Sequence, residues 1–110
     1  MAANGVITQS GQFIIDVKGI DAQTGKKKGA FRPSALAKNQ RTNEWYILSS
    51  VNKLIIVTDA AFKVKGVYPI KASIFLQPEG IAFDNQNNLY ISNEGDTVTP
   101  GTVYKFIYKK

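Results

Sequence analysis

Residues 77–82 of the chain, QPEGIA, repeat residues 32–37, RPSALA, at an offset of 45 positions. Residues 89–92, LYIS, repeat residues 45–48, WYIL, at an offset of 44 positions. A period of about 40–50 residues, with three or four short strands in each unit, is the sequence pattern of β-propeller blades. These two pairs of segments therefore predict two successive blades.

The hydrophobic pattern around the repeat is that of strands, because short apolar segments alternate with clusters of Asn, Asp, Gly and Pro. In the same alignment residues 54–57, LIIV, correspond to residues 103–106, VYKF, which are displaced by a longer loop. The predicted fold is all-β, with about two four-stranded antiparallel units of a partial propeller. The alternative is a β-sandwich whose repeat is coincidental. The predicted strands cover residues 12–17, 35–37, 44–48, 53–58, 64–68, 80–83, 88–92 and 102–108.

Three segments follow from this reading of the chain. Residues 1–30 would supply an N-terminal strand and a basic loop, with the strand lying at the outside of a neighbouring blade. Residues 31–76 form one blade, and residues 77–110 form a second, incomplete blade. Since a propeller needs at least about four blades to close, we expect either missing blades or self-association. Three chains with eight strands each would close a six-bladed ring, so a trimer is one expected form.

Composition excludes several classes of function. The 110 residues include no Cys and no His, which rules out disulfides, thiolate or imidazole metal ligands, and Cys- or His-dependent catalysis. The formal net charge is +6, but the basic residues are scattered, so nucleic acid is not an expected partner. Residues 1–6 lack the features of a signal peptide, and no apolar run is long enough for a transmembrane segment.

The repeated segments also resemble a known family. Residues 31–37, 45–50, 77–84 and 89–95 are similar to the C-terminal blades of SdiA-regulated proteins, and the QPEG and SNEG sequences carry most of the likeness. The resemblance implies a six-bladed propeller related in fold to phytase-like and NHL-type propellers. It also implies a bacterial, extracytoplasmic protein whose partner is an undefined ligand or protein.

Blade topology brings separate loops to one end of the sheets, since successive antiparallel connections alternate between the two ends. Glu79 precedes the first strand of the second blade, and Asn93, Glu94 and Asp96 follow its second strand, so all four are expected at the same end. Their hard oxygen atoms suit Ca²⁺, and the resemblance implies calcium at this end in related propellers. The alternative is that these residues serve ordinary turn and capping roles.

Basic residues are expected at the same end. Lys26, Lys27, Lys28 and Arg32 form a candidate anion site there. The function that we expect is a non-enzymatic binding or interaction module, with Ca²⁺ as its one candidate cofactor and no catalytic residues. The alternative is part of a calcium-dependent, phytase-like phosphoric ester hydrolase, which needs several metal ions beside a phosphate-binding pocket.

Overall fold

The computed structural model describes residues 8–12, 31–95, 98 and 100–107. These residues form seven strands and no helix, which confirms the all-β prediction. The predicted strand at residues 12–17 and most of the predicted segment 1–30 lie outside the described residues. The strands are β1 (Ala35–Asn39), β2 (Glu44–Ser49), β3 (Leu54–Thr58), β4 (Val64–Pro69), β5 (Pro78–Phe83), β6 (Leu89–Asn93) and β7 (Thr102–Phe106).

The strands form two antiparallel sheets that follow each other along the chain. The first sheet has the order β1-β2-β3-β4, and the second sheet has the order β5-β6-β7. Each strand pairs with its neighbour in sequence, so every connection within a sheet is a hairpin. The two sheets meet mainly through their first strands, β1 and β5. This arrangement is the one expected for adjacent propeller blades.

One correspondence predicted from the repeat is wrong by a single residue. Ser49 lies opposite Leu54 in the first sheet, and its counterpart Asn93 lies opposite Thr102 in the second. Leu54 therefore corresponds to Thr102, whereas the repeat had aligned it with Val103. The loop before β7 is longer than its counterpart, so the sequence does not show where the equivalent strand begins. The apolar pattern of residues 103–106 is compatible with both alignments. A shift of one residue moves every side chain of a strand to the opposite face of the sheet.

The space between the sheets holds the larger core. Leu48, Ile55, Phe75 and Ile91 are buried there, and the partly buried residues that pack against them are Ala35, Tyr46, Ile70, Ile81 and Leu89. Successive side chains of a strand point to opposite faces, so Leu48 faces the second sheet while its neighbour Ile47 points to the other face of β2. Ile47 packs there with Ile56 in a second cluster, which includes Trp45 and Phe62.

Aromatic rings pack in and beside these two clusters. The Trp45 and Phe62 rings are stacked with centroids 5.1 Å apart, and the Tyr46 ring meets the Phe83 ring edge-on at 5.0 Å. Phe75 contacts the ring of Tyr104 at 5.1 Å. Phe75 belongs to the β4–β5 connection, so the linker itself fills part of the gap between the sheets.

Side chains of Asn and Asp build all three hairpin turns at one end of the sheets. The Oδ1 atoms of Asn39, Asp59 and Asp84 each accept two backbone N–H groups of the turn that follows. Such turns mimic a backbone turn and fix the tight reversal of the chain. Asn39 and Asp84 are 45 positions apart, so the two units use the same device at the same place.

Replacement of Leu48 tests the packing between the sheets. Leu48 is fully buried, so Leu48→Ala should lower the free energy of unfolding by about 2–5 kcal/mol, because it removes apolar contacts and leaves a cavity. Leu36→Ala is the matched control, since Leu36 is 53% exposed and should cost less than about 1 kcal/mol. Urea denaturation measures both values, and equal losses would contradict the assigned core.

Candidate functional site

Antiparallel pairing divides the loops between two ends of the molecule. The second end carries the three hairpin turns, at residues 40–43, 59–63 and 84–88. The first end carries the remaining connections, at residues 32–34, 49–53, 70–77 and 93–95. Glu79, Asn93, Glu94 and Arg32 all lie at or beside the first end. Asp96 and Lys26, Lys27 and Lys28 lie outside the described residues.

In the first unit the polar groups of the first end bond to one another. The Ser34 hydroxyl donates to the carbonyl of Leu48 at 3.1 Å and accepts the Ser50 N–H at 3.0 Å. The N–H of Arg32 donates to Oδ1 of Asn52 at 3.0 Å. These bonds join the segment that precedes β1 to the β2–β3 turn. The Ser34 side chain therefore has a structural role.

In the second unit the same two segments meet, but through different groups. The Glu94 N–H donates to the Gln77 carbonyl at 2.9 Å. The Asn93 Nδ2 group donates to the carbonyl of Ile74 at 3.0 Å and to the hydroxyl oxygen of Thr102 at 3.3 Å. The Oδ1 atom of Asn93 is buried, and no hydrogen-bond donor reaches it within the described structure. Asn93 therefore holds an accepting oxygen in a fixed position.

The repeat places a carboxylate where the first unit has a hydroxyl. Glu79 corresponds to Ser34, and it lies where the pairing of β5 with β6 shifts register between Pro78 and Gly80. The extra residue of such a bulge is not part of the regular pairing, and the direction of its side chain differs from that in a regular strand. The residue Glu79 is exposed, and so is Glu94. Glu79 therefore lies within the irregular start of β5, and not before the strand as the sequence predicts, whereas Glu94 follows β6; both carboxylates lie at the first end.

The oxygen atoms of these residues are suitable ligands for a hard cation, but there are fewer of them than such an ion binds. Two carboxylates and the Asn93 oxygen are ligands of the kind that Ca²⁺ takes, although Ca²⁺ binds 6–8 oxygen atoms in all. Within the described residues no three His, Cys, Asp or Glu side chains form a group that could hold a metal ion. Water and backbone carbonyls would have to supply most of the coordination shell.

Lys53 is a residue of the first end that its sequence position does not single out. Its ammonium group donates to the carbonyl of Ser50 at 2.9 Å and to the carbonyl of Leu76 at 2.7 Å. The second bond joins the β2–β3 turn to the segment that enters β5, so it ties the two sheets together. Lys53 also has a left-handed backbone, with φ 55°, and neither feature has a signal in a single sequence.

At the second end, Asp84 accepts four hydrogen bonds. Its Oδ1 accepts the N–H groups of Gln86 and Asn88, and its Oδ2 accepts the Asn88 amide and the Tyr90 hydroxyl. Partial desolvation raises the pKa of Asp84, but the bonds from Asn88, Tyr90 and Gln86 outweigh it and lower the pKa to about 2. Residues 84–88 form a hairpin turn, since the Asp84 N–H donates to the Asn88 carbonyl and the Asn87 N–H donates to the Asp84 carbonyl.

The sheet arrangement indicates the architecture, and a match to a family model gives the family. Two successive antiparallel sheets that meet through their first strands are consistent with adjacent blades of a β-propeller. The chain belongs to the SdiA-regulated family, whose family model matches residues 5–106. No curated protein matches the chain. In the part of the chain that the structure describes, no helix has the length and apolar character needed to cross a membrane.

Acid should destabilise the fold partly through Asp84. Because the folded-state pKa is about 2 and the ordinary value is 3.8, the unfolded chain binds the proton more readily. The stabilising contribution of Asp84 is therefore present above about pH 4 and is lost as the pH falls towards 2. Glu44 acts in the same direction, because hydrogen bonds from Lys65 and Thr42 lower its pKa.

Tyr90→Phe separates the effect of Asp84 from the effect of Glu44. The variant removes one donor from Oδ2, so the pKa of Asp84 should rise and the acid-induced loss should begin at a higher pH. Carboxyl NMR titration and thermal melts between about pH 2 and 7 measure the two quantities. Tyr68→Phe, in which the changed tyrosine is an exposed residue of β4, is the control. An unchanged pKa of Asp84 in Tyr90→Phe would refute the assigned network.

Proposed function

We propose that the chain is a non-enzymatic binding module that takes Ca²⁺ at the first end of its sheets. The observation that carries this proposal is the buried, unpartnered Oδ1 atom of Asn93. A buried acceptor without a donor is unfavourable, and a cation or its bound water relieves that cost. Asn93 is followed by Glu94 and pairs with Pro78, which precedes Glu79, so two carboxylates lie along the segments that meet there.

The residues that would hold the ion are Glu79, Asn93 and Glu94, with Asp96 as a further candidate. Bound calcium would supply a positive charge that draws the two loops of the second unit together. The ammonium group of Lys53, fixed on the carbonyl of Leu76 at the same end, opposes a cation there. We therefore expect weak binding, with a dissociation constant on the order of 10⁻⁴–10⁻³ M, as in extracellular calcium modules.

Calcium should stabilise the folded chain. With ~10 mM Ca²⁺ and a dissociation constant near ~1 mM, the gain is ~1.4 kcal/mol, which raises the melting temperature by several degrees. The double variant Glu79→Gln/Glu94→Gln should melt like the wild type without calcium, since both residues are exposed, and should lose the calcium-dependent rise. Thermal melts followed by circular dichroism measure both effects.

A sodium chloride solution of the same ionic strength controls for general screening of charge. If calcium and sodium chloride shift the melting temperature of the wild-type chain equally, the calcium site is wrong. An equal calcium shift in the double variant would locate the ion elsewhere and would remove Glu79 and Glu94 from the proposal.

The second candidate function is hydrolysis of phosphoric esters in a phytase-like manner. It is favoured by the position of Arg32, which is exposed at the same end as Glu79 and Glu94, where Lys26, Lys27 and Lys28 were also predicted. In such a reaction bound metal ions activate water or orient the phosphate, and basic residues balance its charge. A phosphatase assay in calcium separates the two functions, because a binding module gives no turnover above the calcium-only blank.

The outer face of the second sheet supports a further proposal, that chains associate side by side. By the observed register, Tyr46 and Leu48 on the inner face of the first sheet correspond to Tyr90 and Ser92 on the outer face of the second. The equivalent of Ile55 on that face is Val103, which is 67% exposed. In stacked blades, each blade covers one face of the blade before it. The outer face of the second sheet is equivalent to the covered face of the first sheet, so it is the face on which a further blade would pack.

Association of three chains would close a six-bladed ring of the size that the resemblance implies. Light scattering at micromolar to millimolar concentration should then give about three times the 12.1 kDa mass of one chain. Val103→Lys places a charge on the outer face of the second sheet and should shift the equilibrium to the monomer. A strict monomer at all concentrations would eliminate the ring and leave missing blades as the cover of this face.

A further inference from the structure

A cleft opens at the second end of the sheets, away from Glu79 and Glu94. It lies between the β1–β2 turn and the β5–β6 turn and has a volume of about 680 Å³. Pockets for small molecules fall in the range of about 300–1,000 Å³. Its polar walls are formed by Lys38, Gln40, Arg41, Asp84, Asn85 and Asn87. We call it the second-end cleft.

The polar wall of the second-end cleft is rich in hydrogen-bond donors. Arg41 brings a permanent positive charge, and Gln40 and Asn85 bring amide groups in exposed turns. Lys38 adds a second positive charge at the rim, where its ammonium group lies 5.8 Å from the centre of the Trp45 ring. Guanidinium and amide groups of this kind match the oxygen atoms of a carboxylate or phosphate.

Asn87 provides an independent indication of a ligand. The residue lines the second-end cleft and is only 8% exposed, yet its Nδ2 group has no hydrogen-bond acceptor within the described structure. Its backbone is held in the left-handed conformation, with φ 68°, and its N–H donates to the Asp84 carbonyl. The amide is thus a buried donor on a fixed backbone, and it lacks an acceptor.

The one carboxylate of the second-end cleft does not compete for this role. All four acceptor positions of Asp84 are taken by Gln86, Asn88 and Tyr90. Its negative charge is compensated by these donors, and its low pKa agrees with that. The other polar groups of the cleft are the positively charged Lys38 and Arg41 and the amides of Gln40, Asn85 and Asn87, and the two positive charges favour an anionic ligand.

The floor of the second-end cleft is apolar. It is formed by Ala37, Ile81, Ala82 and Phe83. All four residues belong to β1 or β5, the first strands of the two sheets. An apolar floor under a donor-rich wall suits a ligand with an apolar body and an oxyanion at one end.

We propose that the second-end cleft binds a small organic anion, whose carboxylate or phosphate group meets Arg41 and the Asn87 amide and whose apolar body rests on Ile81 and Phe83. This site is separate from the calcium site and does not depend on it. The two lie at opposite ends of the strands, so either one can fail while the other stands.

NMR titration of the ¹⁵N-labelled chain tests the proposal, with benzoate as the organic anion, benzamide as its neutral isostere and inorganic phosphate as an oxyanion without an apolar body. Benzoate should cause saturable shifts in the side-chain amide signals of Asn87, Gln40 and Asn85. A dissociation constant on the order of 1–10 mM is expected for so small a probe. Benzamide should bind at least about tenfold more weakly, and phosphate should bind more weakly than benzoate.

Three variants separate this site from a general effect of positive charge. Arg41→Gln should weaken benzoate binding at least about tenfold, and Asn87→Asp should weaken it further, because it replaces the donor with a like charge. Asn87→Gly removes the amide while tolerating the left-handed backbone, and it should also weaken binding. Lys71→Gln is the control, since it removes one charge at the first end and should change affinity by less than about twofold.

Several results would overturn the proposal. If benzamide binds as tightly as benzoate, the negative charge is not what the cleft recognises. If phosphate binds as tightly as benzoate, the apolar body of the ligand contributes nothing to binding. Shifts that do not saturate, or that appear equally in Arg41→Gln and in Asn87→Gly, would remove the site itself. The amide spectrum of each free variant shows whether it is folded, so a loss of binding is scored only on a folded chain.

Discussion

The packing of Leu48 and Ile91 between the two sheets is the interaction on which the rest of the structure depends. Both side chains are almost completely buried, and Phe75 closes the same cluster from the connection between the sheets. Burial of such side chains is the main favourable contribution to folding. The first and second ends gain their geometry from this contact, because it sets β5 against β1 and so fixes which loops are neighbours.

Hydrogen bonds of polar side chains then fix the loops at the two ends of the packed sheets. At the second end three Asn or Asp side chains make the hairpin turns, and each does so with local bonds that need no help from the other sheet. At the first end, local bonds are joined by long-range ones, and the bond between Lys53 and the Leu76 carbonyl connects the two sheets. The turns of the second end are therefore specified by local sequence, whereas the contact of Lys53 with Leu76 at the first end depends on the two sheets being packed together.

This difference explains what the sequence could and could not predict. Strands and turns follow from local patterns, and the positions of β1 to β6 agree with the predicted segments to within two residues. The register of β7 was missed by one residue because a longer loop precedes it and its apolar residues fit two alignments. Phe75 was missed because it lies in a linker without strand periodicity, and its burial is a consequence of tertiary packing.

The candidate sites were predictable to a different degree. Glu79, Asn93 and Glu94 could be grouped from topology alone, since antiparallel connections alternate between the ends of a sheet. What made Asn93 informative is its unpartnered oxygen, which depends on the positions of Ile74 and Thr102 and has no signature in sequence. The cleft beside Asn87 was not predicted, because it lies between two turns that are 45 positions apart and exists only when the sheets pack.

The two unpartnered groups have opposite chemical character. Asn93 presents an oxygen that needs a donor or a cation, and Asn87 presents an N–H group that needs an acceptor. They lie at opposite ends of β6 and its preceding turn, separated by about six residues of extended chain, or roughly 20 Å. A single small ligand cannot span that distance and satisfy both groups. The proposed cation site and the proposed anion site are therefore two separate sites, not one composite site. The Lys53 ammonium at the first end opposes the charge that this end would bind, which is why weak affinity is expected there.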